Sequence, residues 1–174
     1  MKQTSKIFLG AVAALLLSAS MASASNKIIV ATFTDPNNAY DAAKSVKDLA
    51  NASGSDFKLK TGVMITKDQN GNVSVLEAKS RPLFGTAVGT ASGALIGLVG
   101  GAPGAALGAA LGATSGLGAD TVIAMLDDNF VNSVRLGMKP GTTAIIAEAD
   151  EGSTRAVDDI VTHAGGQVYR QMSR

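Results

Sequence analysis

Hydrophobic and polar positions follow two different periods along this chain, and each period predicts a type of element. Residues 27–34 (KIIVATFT) are mostly β-branched and apolar, which predicts a first strand. Asp35 and Pro36 follow as an N-cap and a first helical residue. Apolar side chains then recur at 3.6-residue spacing, which predicts an amphipathic helix. Its inward face consists of Ala39, Ala42, Ala43, Val46, Leu49 and Ala50.

Two further strands are predicted on either side of a tight turn. Residues 57–67 and 72–78 are rich in apolar side chains, and Asn70-Gly71 lies between them. An Asn-Gly pair between apolar runs is a strong hairpin signal, because both residues tolerate positive φ. The sequence therefore predicts a β-hairpin here.

The C-terminal third predicts two helices and two strands. A helix starts at Asp127-Asp128, and residues 142–149 (TTAIIAEA) form the next strand. Residues 150–153 are expected to cap the second helix, and residues 167–172 form the last strand. The predicted inward positions of the two helices are Phe130, Val131, Val134, Ala156, Val157, Ile160 and Val161.

The order of these elements predicts an α+β fold, a ferredoxin-like split βαβ sheet with one extra helix and strand. A glycine-zipper helical hairpin is predicted to be inserted into this fold. The predicted division is a cleavable signal at 1–24, the α+β domain at 25–81 and 119–174, and the inserted hairpin at 82–118. After the signal, the chain is the size of one domain.

The inserted segment has no charged residue between Arg81 and Asp120, and its glycines recur at every fourth position. Residues i and i+4 share one face of a helix, so these glycines form a smooth stripe suited to close helix packing. The stripe consists of Gly85, Gly89, Gly93, Gly97, Gly101, Gly104, Gly108, Gly112 and Gly116. We expect it to mediate helix packing and oligomerisation.

Pro103 and the glycines around it break the segment into two predicted helices, 83–99 and 103–117. The bulkier side chains away from the stripe are expected to face lipid: Val88, Leu95, Ile96, Leu98, Val99, Leu107 and Leu111. The hairpin could span a thin membrane, enter one leaflet, zip subunits of a soluble oligomer together, or be buried within one chain. Five hydroxyls could hydrogen-bond across the zipper or back to their own helix: Thr86, Thr90, Ser92, Thr114 and Ser115.

The first residues have the pattern of a secretory signal. Lys2 and Lys6 precede an apolar stretch at 7–17, and Ala22-Ser23-Ala24 is an A-x-A cleavage site. We therefore expect an exported bacterial protein on the periplasmic side, associated with the inner or the outer membrane.

Charge and composition narrow the chemistry. The formal net charge is +1, so nothing favours nucleic acid, and the absence of cysteine excludes disulfides and thiol chemistry. His163 is the single histidine, and its position near a helix end suits an interaction with the helix dipole. The paired acids at 127–128 and 158–159 are expected to be helix caps and solvated side chains. We predict no catalytic residue, metal site or cofactor, and no enzyme activity.

The chain also resembles a bacterial membrane-protein family of unknown function, domain-of-unknown-function 1269. The resemblance rests on the N-terminal KIIVATFTDPNNAYDAAKSVKDL segment, on the glycine zipper broken by Gly-x-Pro-Gly, and on FVNSVRLGMKPGTTAIIAEAD with the terminal GGQVYRQ. It implies a ferredoxin-like domain with a membrane hairpin inserted, and no established activity.

Three functions fit these observations. The first is a non-enzymatic, membrane-associated protein that self-associates through the hairpin, with lipid as a partner and an unknown protein partner. The second is a periplasmic module that binds or senses a small ligand, in which the hairpin is a dimer clasp. The third is permeabilisation of a membrane by the hairpin.

Overall fold

A five-stranded antiparallel sheet covered by helices on both faces forms the α+β fold of this chain. The computed structural model describes residues 26–76, 90–101, 104–105, 108–109 and 126–172. The elements in these ranges are β1 (Asn26–Phe33), α1 (Pro36–Asn51), β2 (Phe57–Lys67), β3 (Val73–Val75), α2 (Thr90–Val99), α3 (Asp128–Gly137), β4 (Thr143–Glu151), α4 (Arg155–His163) and β5 (Gln167–Met172).

The strands lie in the order β3-β2-β4-β1-β5, and every neighbouring pair is antiparallel. Ile28 of β1 is opposite Glu148 of β4 on one side and Gln171 of β5 on the other. Paired residues point to the same face of a sheet, so this row marks one face, which we call the upper face. The register of β2 against β4 shifts between Leu59 and Thr61.

Each face of the sheet has its own hydrophobic core. Helices α1 and α4 cover the lower face, where Phe33 and Phe57 are almost fully buried. Helices α2 and α3 cover the upper face, where Val30 and Ile146 are equally buried. The sheet is therefore the middle of three layers, and its strands alternate between two cores rather than between core and water.

Residues close by in the sequence determine where α1 and α3 begin and where β2 turns into β3. Asp35 accepts a hydrogen bond from the Asn37 N–H at 2.8 Å and caps α1, with Pro36 in the first turn. Asp127 caps α3 in the same way through the N–H groups of Asn129 and Phe130. The turn at Asn70-Gly71 joins β2 and β3, and Gly71 has φ of 85°. The sequence predictions for these three places are confirmed.

The start of α4 differs from its prediction. Residues 150–153 were expected to cap this helix, but Asp150 and Glu151 belong to β4 and the N-cap position is Thr154, without a side-chain cap hydrogen bond. The reason lies in ion pairs across the sheet. Glu151 pairs with Lys27 and Arg170 from other strands, which holds β4 extended to its last residue.

Candidate functional site

Helix α2, the described part of the first predicted zipper helix, is an integral part of the upper core. Leu95 and Ile96 are fully buried, and Val99 is 5% exposed. They pack in the same cluster as Val30 and Ile146 of the sheet. This placement differs from the predicted lipid-facing position of these three residues. The apolar upper face of the sheet needs a cover, and α2 provides it.

The other predicted lipid-facing residues have different placements. Leu98 is partly buried and packs against the upper core. Val88, Leu107 and Leu111 lie outside the described residues, as do Gly85, Gly89, Gly112 and Gly116 of the glycine stripe.

Glycines of the stripe bring two stretches of backbone into direct contact. A Cβ atom at Gly104 would lie 2.6 Å from the carbonyl oxygen of Ile96. A Cβ at Gly108 would overlap the carbonyl oxygen of Gly93 and lie 2.8 Å from the nitrogen of Gly97. Only glycine fits at positions 104 and 108 without a shift of backbone, so these residues let the chain after α2 lie against α2 itself.

The turn that separates the two stretches uses another glycine. Gly101 has φ of 62°, a left-handed conformation that favours glycine. Gly101, Ala105 and Ala109 are exposed, whereas Gly104 and Gly108 are buried. Gly104 and Gly108 thus lie toward α2, whereas Ala105 and Ala109 lie on the outside.

Charged side chains hold both ends of α2. The N–H and the hydroxyl of Ser92 donate hydrogen bonds to Glu148 Oε1, at 3.1 and 3.0 Å. At the other end, Arg135 Nη2 donates to the carbonyl oxygen of Leu98 at 2.9 Å. An anion at the N-terminus and a cation at the C-terminus both interact favourably with the helix dipole. These two contacts fix α2 to β4 and α3.

The roles of Glu148 and Arg135 are not predicted from the sequence. Ser92 was expected to bond across the zipper or within its own helix, but it bonds to a strand. One signal was available: Glu148 follows Ala144 and Ile146 at alternate positions of β4, where an apolar residue is the norm. For Arg135 no local signal exists.

A second buried carboxylate lies at the end of the lower core. The side chain of Glu151 is 0% exposed and accepts hydrogen bonds from Lys27 Nζ at 3.3 Å and from Arg170 Nε and Nη2 at 2.9 Å each. Arg170 also donates to Asp158 Oδ1 at 2.6 Å. Burial alone would lower the pKa of Arg170, but the hydrogen bonds to Glu151 and Asp158 outweigh it and raise the pKa. Asp158, expected to be a solvated acid, has a side chain that is 42% exposed and is in addition an ion-pair partner of Arg170.

His163 is the last residue of α4, as the sequence predicts, and its ring is exposed. Its Nδ1 donates to the carbonyl oxygen of Asp159 at 2.6 Å. An open groove of about 510 Å³ between α1 and α4 places Asp41 and Ser45 on the opposite wall. In the described ranges no three His, Asp or Glu side chains are grouped closely enough to hold a metal ion.

None of the helices in the described part of the chain is both long and apolar enough to cross a membrane. Compared with known proteins, the chain matches no family model, no curated protein and no solved structure. The resemblance to the domain-of-unknown-function family therefore stays a prediction.

Proposed function

We propose that this chain is an exported, membrane-associated protein without enzyme activity, which self-associates through its glycine-rich segment. The observation that carries the proposal is the exposure of the small residues Ala105 and Ala109, on the side of the chain after α2 that the contact of Gly104 and Gly108 with α2 leaves outside. Backbone contact through small residues is how helices associate when hydrophobic burial does not drive association, as in lipid. The uncharged stretch from residue 82 to residue 119 and the N-terminal signal pattern agree with this proposal.

The rest of the fold serves in this proposal as a carrier for the segment. With β3 set aside, the strands lie in the order β5-β1-β4-β2, which supports a ferredoxin-like split βαβ sheet as the core of the carrier. The segment departs from this sheet after β3 and returns before α3. Its first helix covers the upper face, so the segment and the carrier form one packed unit.

The burial of α2 limits which surface can contact lipid or a second copy. Leu95, Ile96 and Val99 already pack on the sheet. In the described part of the segment, the available surface is the outer side of the chain after α2, where Ala105 and Ala109 are exposed. We therefore propose that self-association uses this outer side.

This placement decides which variant tests the proposal. Gly108→Leu would disrupt the contact with α2 and so destabilise the fold itself. A change in its oligomeric state could then not be assigned to association. Ala109→Leu adds bulk on the outer side instead. The matched control is Ala52→Leu, an exposed alanine at the end of α1. Both variants are extracted with alkaline carbonate from separated inner and outer membranes, and their mass is then measured by sedimentation equilibrium.

We expect the unmodified protein to stay in one membrane pellet and to sediment as an oligomer. Ala109→Leu should reduce the oligomer fraction at least about fivefold, whereas Ala52→Leu should leave it unchanged. A protein that carbonate releases completely and that sediments as a monomer would overturn the proposal. So would equal effects of the two substitutions.

A second candidate function is a module that binds a small ligand. A groove of about 520 Å³ supports it, at the end of the sheet where β1 ends and β5 begins, with Thr32, Gln167 and Lys139 on its wall. In this candidate the glycine-rich segment joins two copies without touching the ligand.

A further inference from the structure

The turn between β2 and β3 contains the single Asn-Gly pair of the chain, Asn70-Gly71. The carboxamide carbon of an asparagine is an electrophile, and the backbone nitrogen of the next residue is the nucleophile that can reach it. Glycine hinders this nitrogen least, because it has no Cβ. A Cβ at Gly71 would have Lys67 Cε at 3.9 Å as its nearest neighbour, so the space beside the turn is open as well.

The carboxamide of Asn70 is exposed, and none of the residues that the structure describes forms a hydrogen bond with it. The turn holds Asn70 through its main chain instead, since its backbone N–H donates to Asp68 Oδ1 at 2.8 Å. Rotation of the side chain can therefore bring Cγ of Asn70 to the nitrogen of Gly71 without breaking a side-chain contact.

Asn72, two residues further along the same turn, has the opposite arrangement. Its side chain is also exposed, but its Nδ2 donates to Asp68 Oδ2 at 2.9 Å. The next residue is Val73, whose β-branched side chain is 7% exposed and packs in the upper core. The carboxamide of Asn72 is thus held, and the nitrogen that follows it is hindered.

One contact of the folded turn opposes attack by the nitrogen of Gly71. Its N–H donates to the carbonyl oxygen of Asp68 at 3.0 Å, and this hydrogen bond must open first. The turn leads into β3, which has three residues, so the opening is local and does not require the sheet to unfold. The net contribution of one backbone hydrogen bond corresponds to a slowing of about two- to tenfold.

We propose that Asn70 is a site of spontaneous deamidation. The nitrogen of Gly71 forms a bond to Cγ of Asn70 while the bond from Cγ to Nδ2 breaks, and Nδ2 leaves as ammonia with the proton of the attacking nitrogen. Water then adds to either carbonyl carbon of the cyclic imide and opens the ring. The product has aspartate or isoaspartate at position 70.

The product changes the turn in two ways. It places a second negative charge close to the Asp68 carboxylate, which accepts the N–H groups of residues 70 and 72. Isoaspartate also adds a methylene to the backbone between Asp68 and Asn72, which are joined by a hydrogen bond of 2.9 Å from the Asp68 N–H to the Asn72 carbonyl oxygen. The modified residue thus lies inside the turn that connects β3 to β2.

The test incubates the full folded chain in mildly alkaline buffer at physiological temperature and follows its tryptic peptide 68–79, which contains both asparagines. Fragmentation in the mass spectrometer assigns a gain of one mass unit to Asn70 or to Asn72. We expect Asn70 to react at least about tenfold faster than Asn72, because glycine leaves the attacking nitrogen open and valine hinders it. In urea, where the turn is lost, Asn70 should react about two- to tenfold faster than in the folded chain.

Asn70→Gln is the matched variant, because it keeps the backbone donor to Asp68 and its longer side chain must close a larger ring. It should show no mass gain at position 70 over the same incubation. Equal rates at Asn70 and Asn72 in the folded chain would overturn the proposal. So would an Asn70 that reacts in urea but stays intact in the folded chain, since the turn would then protect it. A mass gain at position 70 in Asn70→Gln at the parent rate would overturn the proposed attack by Gly71.

Discussion

At the scale of single residues, the carboxylate of Glu151 depends on partners from two other strands. Its side chain is 0% exposed, and Lys27 and Arg170 are themselves 16% and 19% exposed. A charge in such a place is tolerated only when paired. Removing this charge leaves the largely buried Lys27 without an ion-pair partner and leaves Arg170 with Asp158 alone, and breaking a buried pair from one side is strongly destabilising.

We therefore predict that Glu151→Gln lowers the free energy of unfolding by about 2–3 kcal/mol, measured by urea denaturation. Asp48→Asn is the control, since it breaks the exposed pair with Lys44, and should change the same quantity by less than about 0.5 kcal/mol. Equal losses in the two variants would mean that the buried network contributes no more than a surface pair.

Asp68 shows how one side chain organises the β2–β3 turn. Its Oδ1 accepts the N–H groups of Asn70 and Asn72 at 2.8 Å, and its Oδ2 accepts Asn72 Nδ2 at 2.9 Å. The side-chain hydrogen bond from Asn72 is the main cause that lowers the pKa of Asp68 below its usual 3.8. The charged form is thus favoured in the folded chain. Its contribution to stability is present above pH 3.8 and is lost as the pH falls through the lowered pKa.

Carbon-13 NMR titration of the Asp68 carboxyl checks this argument, with a midpoint expected below 3.8. Asn72→Ala should move the midpoint upward, because the largest cause of the shift is removed. Asn70→Ala keeps the backbone donor at position 70 and should leave the midpoint in place. A midpoint that is insensitive to Asn72→Ala would contradict the assignment of the cause.

At the scale of elements, the chain after α2 lies so close to α2 that alanine should have opposite effects at Gly97 and at Gly108. A Cβ at Gly97 would meet its nearest atom, Ala105 Cα, at 3.5 Å, an ordinary contact. A Cβ at Gly108 would overlap the backbone of Gly93. Inside a helix alanine is favoured over glycine by up to about 1 kcal/mol, and this preference applies to both positions. The two substitutions therefore differ only in the contact that the added Cβ makes.

Gly108→Ala should therefore lower the free energy of unfolding by about 1–3 kcal/mol, the usual effect of overpacking. Gly97→Ala should be neutral or should raise it by up to about 1 kcal/mol. Thermal unfolding of the two single variants beside the parent measures both. Stabilisation by Gly108→Ala would mean that the second stretch does not lie against α2.

Elements whose ends are set by neighbouring residues could be predicted from the sequence, and others could not. Asp35-Pro36, Asn70-Gly71 and Asp127 act within a few residues, so each placed its helix or turn correctly. The beginning of α4 was misplaced because Glu151 is fixed by Lys27, which is 124 residues away in the chain. The hydrophobic periodicity of the sequence depends on neighbouring positions, so it cannot predict a contact between residues so far apart in the chain.

At the scale of the whole molecule, the sequence predicted that α2 is apolar but not which surface covers it. Lipid, a second copy and the sheet are equally good partners for Leu95 and Ile96 on the evidence of hydropathy. The choice depends on tertiary contacts. Glu148 and Arg135, which hold the two ends of α2, lie 56 and 37 residues from their partners. In the structure the upper face of the sheet covers this helix.

Deleting the predicted hairpin, residues 82–118, should then remove part of the core rather than an appendage. Truncating one buried Leu or Ile costs about 2–5 kcal/mol, and α2 contributes Leu95, Ile96 and Val99 together. That loss is comparable to the whole free energy of unfolding of an ordinary domain, about 5–15 kcal/mol. With residues 81 and 119 joined by a flexible linker, the shortened chain should bind ANS and lose cooperative thermal unfolding.

Leu95→Ala in the full chain is the graded comparison for this deletion. It should lower the free energy of unfolding by about 2–4 kcal/mol while keeping a single cooperative transition. A shortened chain that unfolds cooperatively at the parent's midpoint would mean that the sheet and α3 close the upper core alone. Helix α2 would then be free to leave the sheet for a membrane. Loss of cooperativity would instead tie any membrane contact to the outer side of the segment, because the inner side cannot leave without unfolding the domain.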